Sequence, residues 1–546
     1  MAVRKPVIYR DCYLGFLTEG LADRLLEIRG LKKVEAVKHM LFNFSKELID
    51  RSISENRSIR EIIKEENIDW TQYQGELRDY QTTAVAFMYF NPRMILGDDA
   101  GTGKTAVSSG LINYLKAKKQ LSRFIFVCEP QAVPQVKREL IKFTGLHIIA
   151  IDGQANKMRK QLGNVDWAKL DGIVAPHSVL KSDTFNLFLA DNINENGKSR
   201  IANVFILDES SIIKNDKTKT FEYTKNIADI IPRFYMLNAT AFENYLIDIV
   251  NQIEILSGNI LPSRYAIQKN YCEMEATPFY RKSANGGAAQ RCMSYDIVGY
   301  KNQQRLKELC RLYYYGRTRK EMGMKDNSKY KVVPAEVSRQ QAELLSRPYL
   351  SGRYNAILNC PTLLQEWKYE FNTETVPKLG KLIEEITGEF NDKKIMVYAF
   401  NIDSHLNIQR ALTEVGKTSV ILNGTVKTAD RGELQNAYND GKYDVIITNF
   451  KKSLNLDTAD VCILYDIEPN PARTTQITQR INRGTGEKQK TYVMLYYKDS
   501  PEEQYFVNVV AQRSSDSKAF TKNEQYAVDE FMKIWIEENE KEGVEQ

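Results

Sequence analysis

Cysteine is sparse and unpaired in this sequence: Cys12, Cys128, Cys272, Cys292, Cys310, Cys360 and Cys462 are scattered over 546 positions with no C-x-x-C pair. That spacing excludes a disulfide framework and a zinc ribbon, and reads as reduced, half-buried thiols. Histidine is rarer still. His39, His147, His177 and His405 stand at no metal-ligand spacing, so none is expected to take part in chemistry. No apolar run approaches the roughly 20 residues that cross a bilayer, which excludes a helical membrane span. The opening "MAVRKPVIYRDCYLGF" lacks the apolar stretch and small-residue cleavage site of a secretory signal, so a cytoplasmic protein is expected. Short repeats and low-complexity tracts are missing too, which removes solenoid and fibrous architectures.

What is present is a composition with 42% hydrophobic residues, in a chain long enough for two to four compact units of roughly 100 to 200 residues each. The net charge of +6 is small but unevenly spread. Residues 257–345 hold 16 Lys/Arg against 8 Asp/Glu, whereas residues 528–546 hold 7 acidic against 2 basic residues. A basic segment between more neutral ones suits a polyanion-binding lobe. A solvated charged surface has the same composition, and charge alone does not choose between them.

Residues 1–75 show apolar positions three and four apart and read as a helical appendage. Over residues 76–256 the pattern changes to short apolar runs, "RMIL", "RFIFVC", "LHIIAI", "GIVA", "NVFILD" and "RFYML", alternating with helical stretches. Strands apolar throughout are those of a parallel sheet buried on both faces. A second series, "KIMVYAF", "TSVILNG", "YDVIITNF", "VCILYD" and "TYVMLYY", lies within residues 346–512. The expected architecture is therefore α/β, with two tandem doubly wound parallel-sheet domains separated by a basic, mainly helical insertion at 257–345 and followed by a helical acidic tail at 513–546.

The chemistry begins at "ILGDDAGTGKTA". A buried strand, a tight turn Gly101-Thr102-Gly103 and a helix starting at Lys104 make a phosphate cradle of backbone N–H groups at a helix N-terminus. In such a cradle Lys104 reaches the β- and γ-phosphates of a nucleotide such as ATP, and the Thr105 hydroxyl sits on Mg²⁺. The leading glycine of the usual G-x-x-x-x-G-K-[ST] pattern is replaced by Asp98. "NVFILDESSIIKN" ends a hydrophobic strand on Asp208-Glu209, paired carboxylates suited to holding Mg²⁺ through water and deprotonating an attacking water, respectively. The same pair also suits a helix N-terminus, so its weight comes from its place downstream of the phosphate loop. In "TTQITQRINRGTG", Gln476, Arg480 and Arg483 are spaced to share one helical face, from which an arginine finger would reach the γ-phosphate on domain closure.

Together and in this order, these motifs resemble helicase superfamily 2 and, more narrowly, its Swi/Snf-type double-stranded DNA translocases, over roughly residues 76–510. "GDDAGTGKT" is similar to the family's A-D-E-M-G-L-G-K-T, with Asp98-Asp99 against its acidic pair. "ELRDYQTTAVAFM" resembles the element that precedes it and implies that Gln81 reads adenine. "VCEPQAVPQVKREL", "LDESSIIKN", "LNATAFEN", "YYYGRTRKE" and "VSRQQAELL" follow in the family's order, and "KKSLNLDTADVCILYDIEPNPARTTQITQRINRGTG" resembles its closing pair of motifs.

The resemblance implies two RecA-like domains, ATP and Mg²⁺ as nucleotide and metal, and double-stranded DNA as the polymer, with Gln476 at the nucleotide. Arg317, Arg319 and Lys320 in the basic segment are then expected at the DNA phosphates. Ser211 replaces a usual histidine, and Asn238, Ala239, Ala241 and Glu243 alter the T-G-T-P-x-x-N motif that couples hydrolysis to movement. A strand-separating or branch-migration helicase stays open beside the translocase, as does a factor that remodels a DNA-bound partner such as RNA polymerase, docking through residues 1–75 or the acidic tail. Compactness points to a monomer of bacterial or viral origin.

Overall fold

The computed structural model describes residues 73–238, 248–257, 264–281, 290–302, 313–319, 321–324, 327–450, 454, 456–482, 488–510 and 527–544. The expected N-terminal appendage lies outside them, apart from its last three residues. These residues fall into two compact units that change over between Gly316 and Arg317, with the short stretch Asp99–Thr102 grouped with the second.

In the first unit the apolar runs become β1 (Arg93–Leu96), β2 (Phe124–Cys128), β3 (Ile148–Ala150), β4 (Gly172–Pro176), β5 (Val204–Asp208) and β6 (Arg233–Leu237). An antiparallel hairpin follows, β7 (Cys272–Arg281) and β8 (Gln290–Tyr300), and then a two-residue strand, β9 (Tyr314–Tyr315). Six strands and β9 form one parallel sheet in the order β3-β4-β2-β5-β6-β1-β9. Every residue of β1 and β2 is buried, as a sheet covered by helices on both faces requires.

The second sheet is also parallel. It comprises β10 (Ser328–Ala335), β11 (Ile395–Tyr398), β12 (Ser419–Leu422), β13 (Val445–Thr448), β14 (Val461–Leu464) and β15 (Lys490–Tyr497), in the order β10-β15-β14-β11-β13-β12. The basic segment 257–345 thus holds more strand than the mainly helical insertion expected of it. Its described residues include a hairpin, the last strand of the first sheet and an edge strand of the second. Two residues are too few to show a period, and Pro334 inside β10 argues against a strand until its edge position is known, where one face of the ladder needs no N–H.

The acidic tail's helix, Ala527–Val544, is anchored in the second core. Phe531 packs edge-on against Tyr330 at 5.2 Å, the Ala527 N–H donates to Thr475 Oγ1 at 3.0 Å, and Trp535 Nε1 donates to Glu503 at 2.8 Å.

A polar knot sits at the centre of the second unit. Lys378, fully buried in the helix Pro377–Thr387, donates to Glu502 Oε2 at 2.6 Å, Glu502 Oε1 at 2.8 Å and Asn359 Oδ1 at 2.8 Å. Its ammonium lies 4.6 Å from the Tyr497 ring centroid, and Glu502 also takes the Tyr497 N–H at 2.9 Å. Nearby Asp466 is fully buried and takes the Phe400 N–H. Burial pushes its carboxyl up to about 6, with the Lys378 charge opposing.

Removing one partner of a buried ion pair strands the other, so Lys378→Met should cost about 3–5 kcal/mol in urea denaturation. Asp466 gives a pH signature. A carboxyl whose folded pKa exceeds its unfolded value holds its proton more tightly in the native chain, so stability falls as pH rises between about 4 and about 6. Asp466→Asn should therefore gain stability relative to wild type across that window and hold a constant advantage above it.

Candidate nucleotide site

At the end of β1 the chain must turn before it can start the helix Lys104–Ala117. Gly97 gives up its carbonyl to the Tyr314 hydroxyl at 3.2 Å, and a Cβ on it would lie 2.2 Å from that ring. The turn itself is built by glycines in the left-handed region, Gly101 at φ 75° and Gly103 at φ 84°, where an L side chain costs roughly 1–2 kcal/mol. Thr102 Oγ1 closes it by donating to the Asp99 carbonyl at 2.7 Å. Gly103 is the N-cap, so the first N–H groups of the helix and its positive end face the turn.

Lys104 Nζ donates to the Asp98 carbonyl at 2.7 Å, so the residue in the leading glycine's place holds the lysine across the loop mouth. Thr105 is half-buried in the first helical turn beside it. Gln81 is buried next to the turn: a Cβ on Gly103 would lie 2.5 Å from its Nε2, while its Oε1 accepts the Arg78 N–H at 3.0 Å.

Two strands away in the same sheet, β5 ends on Asp208. Asp208 Oδ1 accepts the Glu209 N–H at 3.0 Å, and Glu209 itself is left-handed at φ 52°. Burial and the neighbouring Glu209 carboxylate push the Asp208 carboxyl up to about 7, with Lys104 pulling the other way and Glu129 adding to the push. The parallel topology therefore brings Lys104, Asp208 and Glu209 within electrostatic reach at the carboxyl edge of one sheet.

Two residues that the sequence reading passed over join them. His177, at the exit of β4, bonds through Nε2 to the Asp208 carbonyl at 2.8 Å, and Glu129 follows β2. The only signal for either was a polar residue directly after an apolar strand, which is common to most strands of this fold.

The arginines sit differently from expectation. Arg319 is only 7% exposed. Its N–H donates to Asp99 Oδ2 at 2.8 Å, and its Nη1 is 3.2 Å from the place of a Gly101 Cβ. That burial sets it beside the phosphate loop. Arg317 is half-buried, with its carbonyl accepting the Asp99 N–H at 3.1 Å. Lys320 lies outside the described residues.

In the second unit the helix Pro471–Thr478 stops before Arg480. The Arg480 N–H bonds the Ile477 carbonyl in a tight turn, and its guanidinium donates to the Gln476 carbonyl at 3.1 Å and the Leu454 carbonyl at 3.5 Å. Gln476 and Arg480 are both buried, but they do not share the continuous helical face that their spacing suggested. Satisfying the last carbonyls of the helix wins over extending it. Arg483 lies outside the described residues.

Family comparison agrees with this layout. Residues 80–344 match the SNF2-related domain and residues 377–485 the helicase conserved C-terminal domain. The chain is similar to nuclear protein STH1/NPS1 of Saccharomyces cerevisiae, 23% identical over 505 residues that cover 81% of this chain and 35% of that protein. It is also similar to the uncharacterized ATP-dependent helicase YqhH of Bacillus subtilis, 24% identical over 422 residues that cover 72% of this chain and 70% of that one. Among solved structures it is similar to a Sulfolobus solfataricus SWI2/SNF2 ATPase core in complex with dsDNA, at 18% identity and a TM-score of 0.39, covering 85% of this chain and 98% of that one. The chain spans about a third of the length of STH1/NPS1.

Gly103→Ala tests the turn. It forces a left-handed φ on an L residue and drives a methyl towards Gln81, so affinity for a fluorescent ATP analogue should fall about tenfold, as a strain of 1–2 kcal/mol implies.

Proposed function

Because the chain belongs to the SNF2-related branch of helicase superfamily 2, we propose that it is an ATP-hydrolysing motor that translocates on double-stranded DNA. The observation that carries the reading is the convergence of Lys104, Asp208 and Glu209 at one sheet edge, in a chain that continues into a second parallel-sheet unit.

Each residue has a role that its surroundings support. The N–H groups of the turn and Lys104 bind the triphosphate, whose oxygens would replace the Asp98 carbonyl as the lysine's partner. Glu209 orients a water and takes its proton as the water oxygen bonds to the γ-phosphorus and the bond to the β-bridging oxygen breaks, releasing ADP and phosphate. Gln81 and Gln476 are assigned to the nucleotide, and Arg480 and Arg483 to the charge that develops on the transferred group.

The site also fits Mg²⁺. Asp208, Glu209 and Glu129 crowd negative charge around a carboxyl already raised to about 7, opposed by Lys104. With Thr105 and Asp208 as its holders, Mg²⁺ would neutralise phosphate charge. For the DNA, Arg317, Arg319 and Lys320 are the assigned phosphate contacts. Such contacts carry no sequence information, which suits a motor that tracks any sequence, and their affinity falls steeply with salt. The chain is assigned to the cytoplasm as a monomer, with residues 1–75 or the acidic tail as the surface for a protein partner.

ATPase rate measured side by side with duplex DNA, single-stranded DNA, RNA and no polymer is the test. Duplex DNA should stimulate most, with triplex displacement and no strand displacement. Lys104→Ala should abolish turnover by weakening phosphate binding, and Glu209→Gln should abolish it with ATP still bound; full-rate hydrolysis in Glu209→Gln would remove Glu209 as the base.

A further inference from the structure

The helix Asp248–Ser257 is buried along its length by Ile249, Val250, Ile253, Ile255 and Leu256, yet two adjacent carboxamides at its centre, Asn251 and Gln252, are fully buried as well. Both hydrogen-bond to the stretch that leaves β5. Asn251 Nδ2 donates to the Lys214 carbonyl, and Gln252 Oε1 accepts the hydroxyl of Ser210, itself fully buried, at 2.6 Å. Ser210 directly follows Glu209, whose left-handed backbone is a conformation that a non-glycine residue holds only when its neighbours enforce it. On the other side of Glu209, the Asp208 carbonyl is held by His177. The candidate base is thus tethered before and after by side chains from outside its own strand.

Packing alone does not call for this arrangement. A buried hydroxyl and carboxamide cost free energy unless they satisfy each other, and an apolar pair of matching shape fills the same space at little or no loss. What the polar pair adds is direction: one hydrogen bond fixes where Ser210, and therefore Glu209, can point.

We propose that Gln252 is a positioning residue for the hydrolytic step, acting through Ser210 to hold Glu209 in the orientation from which it takes the proton of the attacking water. The proposal rests on the ATPase reading above. It is tested by measuring kcat and KM for ATP, with saturating duplex DNA, alongside thermal midpoints for Ser210→Ala, Gln252→Met and the double variant in the full chain.

The single variants each strand one buried polar group and should lose both stability and turnover, with kcat down about tenfold and KM unchanged, the pattern of an interaction that matters only in the transition state. The double variant restores an apolar match, so its midpoint should return towards wild type while kcat stays low. If kcat recovers together with the midpoint, or if both single variants turn over at the wild-type rate, Gln252 is a packing residue and the proposal fails. Absence of hydrolysis in the wild-type chain would instead overturn the ATPase reading itself.

Discussion

A parallel strand covered by helices on both faces has no place for a polar side chain until it leaves the sheet. In the first unit this constraint governs everything else. Beyond Arg93 at its entry β1 is buried and apolar, as is all of β2, and β5 is buried up to Asp208, so the next residues free to be polar are those at the carboxyl edge. Because all strands of that sheet run the same way, their exits share one edge, and Gly97 to Lys104, Glu129, His177 and Asp208-Glu209 gather there from four strands. The site follows from the topology, and the glycines at 101 and 103 and the strained Glu209 are the local adjustments that turn exits into a cradle.

The second unit obeys the same rule with a different outcome. There the exits of β11, β14 and β15 meet a buried ammonium: Lys378 is held by Glu502 and Asn359, lies over the Tyr497 ring, and electrostatically opposes the protonation of Asp466. The knot ties the helix Pro377–Thr387 to the short helix Pro501–Tyr505, two segments that are 124 residues apart at the Lys378–Glu502 contact. A buried pair of this kind is weak evidence for net stability but specific about which surfaces meet.

Much of this was legible in the sequence. Continuous apolar runs marked β1 to β6 in the first sheet and all but β10 in the second, and the phosphate loop and Asp208-Glu209 could be placed because each follows such a run. What escaped was whatever depends on a distant neighbour. β9 is two residues long and exists only against β1; β10 carries a proline that only an edge tolerates. The spacing of Gln476 and Arg480 promised a helical face, but the helix ends at Thr478, and the Arg480 side chain turns back to the Gln476 carbonyl. No local pattern marks the contacts of His177 and Gln252, since their partners lie 31 and 42 residues away.

The pairing of β1 with β9 also bears on how the chain is made. β1 has β6 on one side and β9 on the other, so from the time residues 93–96 leave the ribosome until Tyr315 follows them, one flank of the strand next to the phosphate loop has no partner from its own sheet. An unpaired apolar strand edge is a template for pairing with another chain. The two-residue β9 therefore closes that edge, and the bonds of Asp99 with the Arg317 carbonyl and the Arg319 N–H complete the loop only after more than two hundred further residues have been synthesised.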